Sequence, residues 1–511
     1  MPKITYIIAG DIGGTNSRFS LHRPGQREPL YVHIYPNEIA LENAPDYHHA
    51  TLKPYLETCL AEVEELKSMG EDAIMSKVRI VACLATAGPV KANNTVFMTN
   101  MGKGGHAIDG NEIEKCQDGL LSLVVRCKLV NDFVGQGYGS LDLDLANECI
   151  ELMPGSIAKI DDLGPRACVG AGTGLGVCFL TKSSLSPELG YECYPSEGGH
   201  VDYAPRDTLS MELWEYLKEK HNSNTRISTE RVVSGRGLAD VYEFLSQKFP
   251  ERVDEEIHEE FLNSGDQKGG VVGRNSGKEG SLTKQAMELM ITMYGAAVGN
   301  VSLKFIPTGG LFVTGGLTAK NIGMMEGIDS PFMKAYLDKG RLRPILDTVP
   351  VFAVKTEDTG LRGARVCAER VFVIILRQRH GSGGGKFSLI FLFGILVKVK
   401  FRRLQGRRLN EVKLIVSRQL PRQPEKWLLK VVVRFGRNII VLQVLLPVEG
   451  DLLRLDLTVL DFYLVPGEDD GDILADAGEI AMPVRNVFVG DSRRDVEHDD
   501  SALALDVIPV A

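Results

Sequence analysis

Residues Ile4–Leu21 read ITYIIAGDIGGTNSRFSL: an apolar run rich in β-formers, then Asp11 and the turn residues Gly13-Gly14-Thr15-Asn16, then a second apolar run through Phe19 and Leu21. Strand, glycine turn and strand in this order make a hairpin whose unhindered backbone N–H groups and threonine hydroxyl can surround phosphate oxygens. Asp11, at its edge, is placed to hold Mg²⁺ through water, since hard cations take oxygen ligands. An ordinary glycine-rich hairpin is the competing reading. The same pattern recurs at Gly170–Gly176 (GAGTGLG), between the short strand Ala167–Val169 and the β-like VCFL. Its glycine spacing does not fit a dinucleotide fingerprint, and no helix pattern follows it. Two such hairpins, more than a hundred residues apart, imply two halves that grip one nucleotide from opposite sides.

Between the hairpins lies Leu129-Val130-Asn131-Asp132-Phe133, an acid at the end of an apolar strand, where open α/β sheets place their ligands. Asp132 is the candidate general base, and a helix N-cap aspartate is the alternative. In Pro195–Asp202 (PSEGGHVD), Glu197 and His200 flank a glycine pair and suit the vicinal hydroxyls of a sugar. Asn100 and Glu230 are further polar candidates, each also compatible with a surface or capping role. Glycines after the apolar Phe312-Val313-Thr314, at Gly315 and Gly316, would let adenine or ribose approach the backbone.

Short β-rich runs at Ile4–Ile8, Val78–Ala85, Val124–Val130, Ala167–Val169 and Leu311–Thr314 alternate with helical patterns at Ala50–Ser68, Thr208–Lys220, Leu238–Lys248 and Thr283–Phe305, which implies an α/β fold. The charged, then glycine-rich segment Pro250–Ser281 reads as a surface insertion. In all, 511 residues with 58 Lys+Arg against 67 Asp+Glu give a formal charge of −9. That balance offers no positive field for a polyphosphate, so nucleic acid is not an expected partner. Nine cysteines without a C-x-x-C pair read as reduced thiols, with neither a disulfide framework nor a zinc site expected. Leu389–Val397 falls short of the ~20 residues of a membrane span. No targeting segment is read at the N-terminus, so the cytoplasm is the expected location, an organelle address being the alternative. Beyond Phe372 the glycine linker HGSGGGK leads into residues 373–450, with 16 basic and 3 acidic side chains, and residues 451–511, with 4 and 15. No motif sits there, and residues 373–511 are expected to be a poorly ordered extension or a gene-model artefact.

Taken in order, GDIGGTNSR, LVNDF, GAGTGLG, PSEGGHVDYAP, STERVVSG and FVTGG resemble the bacterial-type glucokinase family of the hexokinase and actin-like ATPase superfamily, from about Ile4 to about Phe372. The resemblance implies a two-lobed, ribonuclease H-like fold with an interlobe cleft, divided into residues 1–133, a small lobe, and 134–372, a large lobe bearing the 250–281 insertion. It implies ATP-dependent phosphorylation of the 6-hydroxyl of glucose, the entry step of glycolysis. Asp132 would be the base, and Asn100, Asn131, Asp132, Glu197, His200 and Glu230 would hold the sugar. Gly13, Gly14, Thr15 and Asn16, with Asp11, would cradle phosphates from one side and Gly172 and Thr173 from the other, with Gly315 and Gly316 near adenosine. Mg²⁺ would arrive on ATP, with no metal site of the protein's own. The partners expected are glucose and ATP, with a homodimer left open and no membrane. A kinase for another hexose, or a sugar sensor without catalysis on the same fold, are the rival readings.

Overall fold

The computed structural model describes residues 3–41, 44–102, 104–183, 189–223 and 225–380, and beyond these eight strands between 388 and 510. Strand β1 (Ile4–Ile12) turns through the first glycine loop into β2 (Asn16–His22) and on to β3 (Tyr31–Pro36). The ladder β1–β2–β3 is antiparallel, and β4 (Val78–Thr86) adds parallel to β1. Strands β5 (Thr95–Met98) and β6 (His106–Asp109) form a separate hairpin, and β7 (Val124–Asn131) completes the sheet in the order β3-β2-β1-β4-β7. Because β1 and β4 are covered on both faces they are apolar almost without interruption.

The second sheet repeats this plan. After β8 (Cys149–Glu151), β9 (Arg166–Ala171) turns through the second glycine loop into β10 (Leu175–Lys182) and then β11 (Tyr191–Ser196), with β12 (Leu311–Thr314) and β13 (Val351–Val354) parallel beyond β9. The order β11-β10-β9-β12-β13-β8 matches the first sheet except for the added edge strand β8. Each sheet has its own core, one running from Tyr6 to Leu129 and the other from Leu152 to Ala353. Two copies of a three-antiparallel, two-parallel sheet define the actin-like, ribonuclease H-like architecture.

Helices form where the apolar spacing predicts them, at Thr208–Lys220, Gly235–Lys248 and Leu282–Phe305, each with a side-chain cap, from Asp207, Ser234 and Ser281 respectively. The expected Ala50–Ser68 helix is instead a π turn at His48–Leu52, then Lys53–Glu62 and Glu64–Lys67, broken at Val63, whose backbone is extended. The segment Pro250–Ser281, expected as a surface insertion, is helical and partly buried. It folds into helices Glu255–Asn263 and Lys268–Arg274, and Phe261, Val271 and Val272 are fully buried against the large core. The few apolar residues there, Val271 and Val272 on one turn and Phe261 on the other helix, reach inward, which composition alone disguises.

One helix connects the two sheets. Asp132–Gly139 (DFVGQGYG) leaves β7 and carries glycine at 135, 137 and 139. Glycine costs a helix about 1 kcal/mol relative to alanine, so three in eight residues need a packing reason. A methyl at Gly135 would lie 2.8 Å from Ala85 Cβ on β4, one at Gly137 would lie 2.5–2.7 Å from the thiols of Cys193 and Cys178, and one at Gly139 would collide with the Thr359 carbonyl. The helix beginning at Thr359 answers with Gly363, where a methyl would collide with the Gly135 carbonyl. Arg362 pairs with Glu148 at 2.6 Å and Arg365 with Asp142 at 2.8 Å, locking this crossing.

The chain divides into two units, residues 1–22 with 29–368, and 23–28 with 369–511. In the second, Ser388–Leu392, Ile395–Phe401, Val459–Pro466 and Ile473–Asp476 form one sheet, and Leu409–Ser417, Lys426–Phe435, Asn438–Pro447 and Asp506–Val510 another. The remainder of residues 381–511, on which the expectation of poor order falls, lies outside the described residues. No described helix is long and apolar enough to cross a membrane. At the glycine crossing, Gly363→Ala forces backbone apart and is expected to destabilise the first unit by about 1–3 kcal/mol. Gly277→Ala, which meets open space, should stay within about 0.5 kcal/mol. Thermal unfolding of the two variants checks this, and equal midpoints would refute the crossing's role.

Candidate active site

The β1–β2 register pairs Asp11 with Arg18 and Ile12 with Ser17, leaving Gly13–Asn16 as the tight loop, closed by Gly13 N donating to Asn16 O at 2.9 Å. Behind it stands Asn37, fully buried. Its Nδ2 donates to the carbonyls of Gly13 at 2.8 Å and Gly14 at 3.2 Å, its backbone N donates to Thr15 O at 2.8 Å, and its Oδ1 accepts from Ser17 Oγ at 2.6 Å. Tyr47 Oη lies 2.9 Å from the same Ser17 hydroxyl. The carbonyls of Gly13, Gly14 and Thr15 are thus all held by Asn37. Thr15 and Asn16 are exposed, and Asn100 abuts Gly14, where a methyl would meet it at 2.7–2.8 Å. Asn37 and Tyr47 escape a reading of motifs, because nothing local ties them to a loop more than twenty residues away.

In the second hairpin, Gly172 N donates to Gly174 O at 2.8 Å, and Gly235 N, at the start of a helix, donates to Gly172 O at 2.8 Å. Thr173 is exposed at the tip. Glu230 Oε2 accepts from Leu175 N at 2.9 Å, and its other oxygen lies 3.9 Å from His200 Nδ1, whose Nε2 in turn is 3.9 Å from Glu197. The acids and the imidazole therefore form one row along the second hairpin. Gly315 has φ of 90°, and a side chain there would meet the Ala171 carbonyl at 2.5 Å, so the FVTGG turn, with Gly316 opening the next helix, lies against the hairpin's base.

Asp132 stands between these groups. The helix cap is Asn131, whose Oδ1 accepts from Phe133 N at 2.9 Å while its Nδ2 reaches Gly88 O at 3.2 Å; Asp132 is the first residue inside the helix. The Phe133 ring fills the space that a side chain at Gly176 would need and touches Gly170, which seats Asp132 against the second hairpin. Burial pushes the Asp132 carboxyl up to about 6, the Phe133 N–H opposes the shift, and the nearby Asp11 and Glu197 charges add to it. Asp11 is likewise raised by burial, with Arg18 opposing. The structure thus gathers Asp11, Asp132 and Glu197 within electrostatic reach of one another. A separate cavity of about 200 Å³ beside Glu197 is walled by Val169, Val177, Val301 and Phe305 and does not include Asp132, so it is not the reaction centre.

The raised value has a sign. A carboxyl that ionises near 6 when folded and near 4 when unfolded binds its proton more tightly in the fold, so its contribution is complete below pH ~4 and lost as pH rises through 6. Asp132→Asn does not titrate. Its melting temperature relative to wild type is expected to climb between pH 4 and pH 7.5, and a constant difference would show that Asp132 is not held in a dry site.

Comparison with known proteins places this geometry. Residues 8–371 match the family model described as Glucokinase. The glucokinase of Synechocystis sp. is 35% identical over 376 residues, covering 71% of this chain and 97% of that protein, and that of Nostoc sp. is 35% identical over 379 residues, covering 72% and 100%. Two crystal structures share the fold: glucokinase from an Antarctic psychrotroph, at TM-score 0.52 and 24% identity over 71% of this chain and 98% of that one, and glucokinase from Balamuthia mandrillaris in complex with glucose, at 0.54 and 22% over 72% and 94%. Matched by this family model over residues 8–371 and by relatives that it covers over 97% and 100% of their length, the chain belongs to the glucokinase family.

Proposed function

We propose that the protein transfers the terminal phosphoryl group of ATP to the 6-hydroxyl of glucose. The observation that carries the reading is Asp132, desolvated and seated between two glycine hairpins whose backbone N–H groups suit phosphate oxygens. With a pKa of about 6 it is mostly ionised at pH 7, yet it is about a hundredfold stronger as a base than an ordinary aspartate. It accepts the hydroxyl proton as the new P–O bond forms, while positioning of the two substrates supplies most of the rate.

The sugar's hydroxyls fall to the row Glu197, His200 and Glu230, with Asn100 and Asn131 at its ends. Asn131 has one Nδ2 hydrogen left for the sugar, since its other polar groups fix the start of the Asp132 helix. Gly13, Gly14, Thr15 and Asn16 take phosphate oxygens from one side and Gly172 and Thr173 from the other, with Gly315 and Gly316 beside the adenosine. The Asp11 charge adds to the cost of ionising Asp132, and burial raises Asp11 itself, so the two acids offer oxygen ligands that suit a hard divalent cation. Mg²⁺ carried in on ATP would neutralise phosphate charge there, with Asp11 holding it through water. The reading includes a cytosolic location, which the nine free thiols support. It also treats residues 373–511 as dispensable, since every site residue precedes them.

Three outcomes test it. Coupled assay of sugar 6-phosphate from ATP·Mg²⁺ should show turnover with glucose exceeding that with mannose, fructose or glucosamine, both in the full chain and in one ending at His380; a folded protein that prefers another hexose would overturn the reading. Asp132→Asn should lose kcat by at least a hundredfold with glucose binding kept within about tenfold, and wild-type kcat/KM should fall as pH drops through 6. Asn37→Ala strips the support from the Gly13–Gly14 carbonyls and should raise the KM for ATP about fivefold or more while leaving that for glucose within about twofold. Equal changes in both would assign Asn37 a merely structural role.

A further inference from the structure

Beside the first lobe's core, Asp46, His48 and His49 direct their polar atoms to one point. His48 Nδ1 lies 3.0 Å and His49 Nδ1 2.9 Å from the same Asp46 oxygen, and all three ligand-capable atoms fall within 4.8 Å of one another. The π turn at His48–Leu52 brings this about, because it lets two consecutive histidines swing their rings to one side, with centroids 4.8 Å apart. The far side of the His49 ring is held as well. Its Nε2 lies 3.2 Å from Asp118 Oδ2, and Asp118 is anchored by Lys53 Nζ at 2.8 Å.

We propose that Asp46, His48 and His49 form a binding site for a first-row divalent transition ion of the zinc class. Two imidazoles and one carboxylate are a ligand set that suits such ions. With metal–ligand bonds of about 2.05 Å, two ligands at right angles stand about 2.9 Å apart, which is the separation of the Asp46 oxygen from each imidazole nitrogen. Two of the three ligand separations already match, and the imidazole nitrogens, within 4.8 Å of each other, need only close on the ion as the His49 Nδ1 gives up its proton. Coordination through Nδ1 requires the Nε2–H tautomer of His49, and Asp118 stands where that hydrogen must be accepted, the outer-shell partner that metal-bound histidines usually have. The Asp46 and His49 side chains keep about a third and a quarter of their surface exposed, so an ion has a route in. The expectation from sequence was of no metal site of the protein's own, read from the cysteines and from Mg²⁺ arriving on ATP, and the adjacent histidines at 48 and 49 formed no part of it.

The site is wired to the nucleotide loop. Tyr47 lies between Asp46 and His48, and its hydroxyl reaches Ser17, which donates to Asn37. An ion clamping residues 46–49 would thus stiffen the support of Gly13 and Gly14. This part of the proposal is independent of which sugar is phosphorylated.

The test uses the full chain, freed of metal by chelation and without nucleotide. Titration with Zn²⁺ should show one ion per chain at micromolar affinity or better and a raised melting temperature. Co²⁺ should bind at the same site with visible d–d bands and no thiolate charge-transfer band. His49→Ala, at a partly exposed position, should weaken Zn²⁺ at least tenfold and abolish the thermal shift. Asp118→Asn should weaken it about tenfold through the outer shell. Wild-type affinity in His49→Ala, a thiolate band with Co²⁺, or no binding at a hundred micromolar Zn²⁺ would each overturn the proposal.

Discussion

The backbone-to-backbone contact between helix Asp132–Gly139 and the helix that begins at Thr359 is the constraint on which the active site depends. Gly135, Gly139 and Gly363 allow the two helices to approach until a methyl on either would strike a carbonyl of the other. Gly137 lets the other side of the first helix lie on Cys178 and Cys193 of the second sheet, while Gly135 faces Ala85 of the first. The helix is therefore a spacer of fixed width between two sheets that otherwise have separate cores. Its first residue is Asp132. The distance between the hairpins and the acid that stands between them are set by one packing solution.

That solution also explains the electrostatics. An aspartate at the tip of a tightly packed helix, flanked by Phe133 on one side and the Asp11 carboxylate on the other, loses much of its water and gains a like charge, and both effects disfavour ionisation. Arg18, across the β1–β2 ladder, moderates Asp11. The polar chain from Tyr47 through Ser17 to Asn37 performs a complementary task, holding the carbonyls of the first glycine loop. The Asp132 carboxyl and the first glycine loop are thus shaped by different physics, the first by loss of solvent and the second by carbonyls that Asn37 satisfies.

Some of this was legible in the chain itself. The two hairpins, the strands that flank them, the acid after β7 and the three longest capped helices follow from period, turn residues and caps, all local signals. Glu197, His200 and Glu230 were legible as candidates, and only the fold shows them as one row, because Glu230 arrives thirty residues later on a separate 3₁₀ turn. Asn37 and Tyr47 were not legible. An asparagine opening a short helix and a tyrosine between an aspartate and a histidine carry no mark of a loop that lies twenty or more residues earlier. The 250–281 segment misled for the opposite reason: its charge and glycines are real, but three apolar side chains suffice to dock two short helices.

The sequence by itself determined the repeated strand–glycine–strand plan, the family to which the chain belongs, and Asp132 as the candidate acid after β7, because each is written in neighbouring residues. Only the tertiary structure decided that burial raises the Asp132 carboxyl, that Asn37 supports the first loop, and that Asp46, His48 and His49 meet with Asp118 behind His49. Desolvation, close approach of two backbones and the meeting of side chains seventy residues apart are properties of distances through space. A chain specifies them only through the fold it adopts.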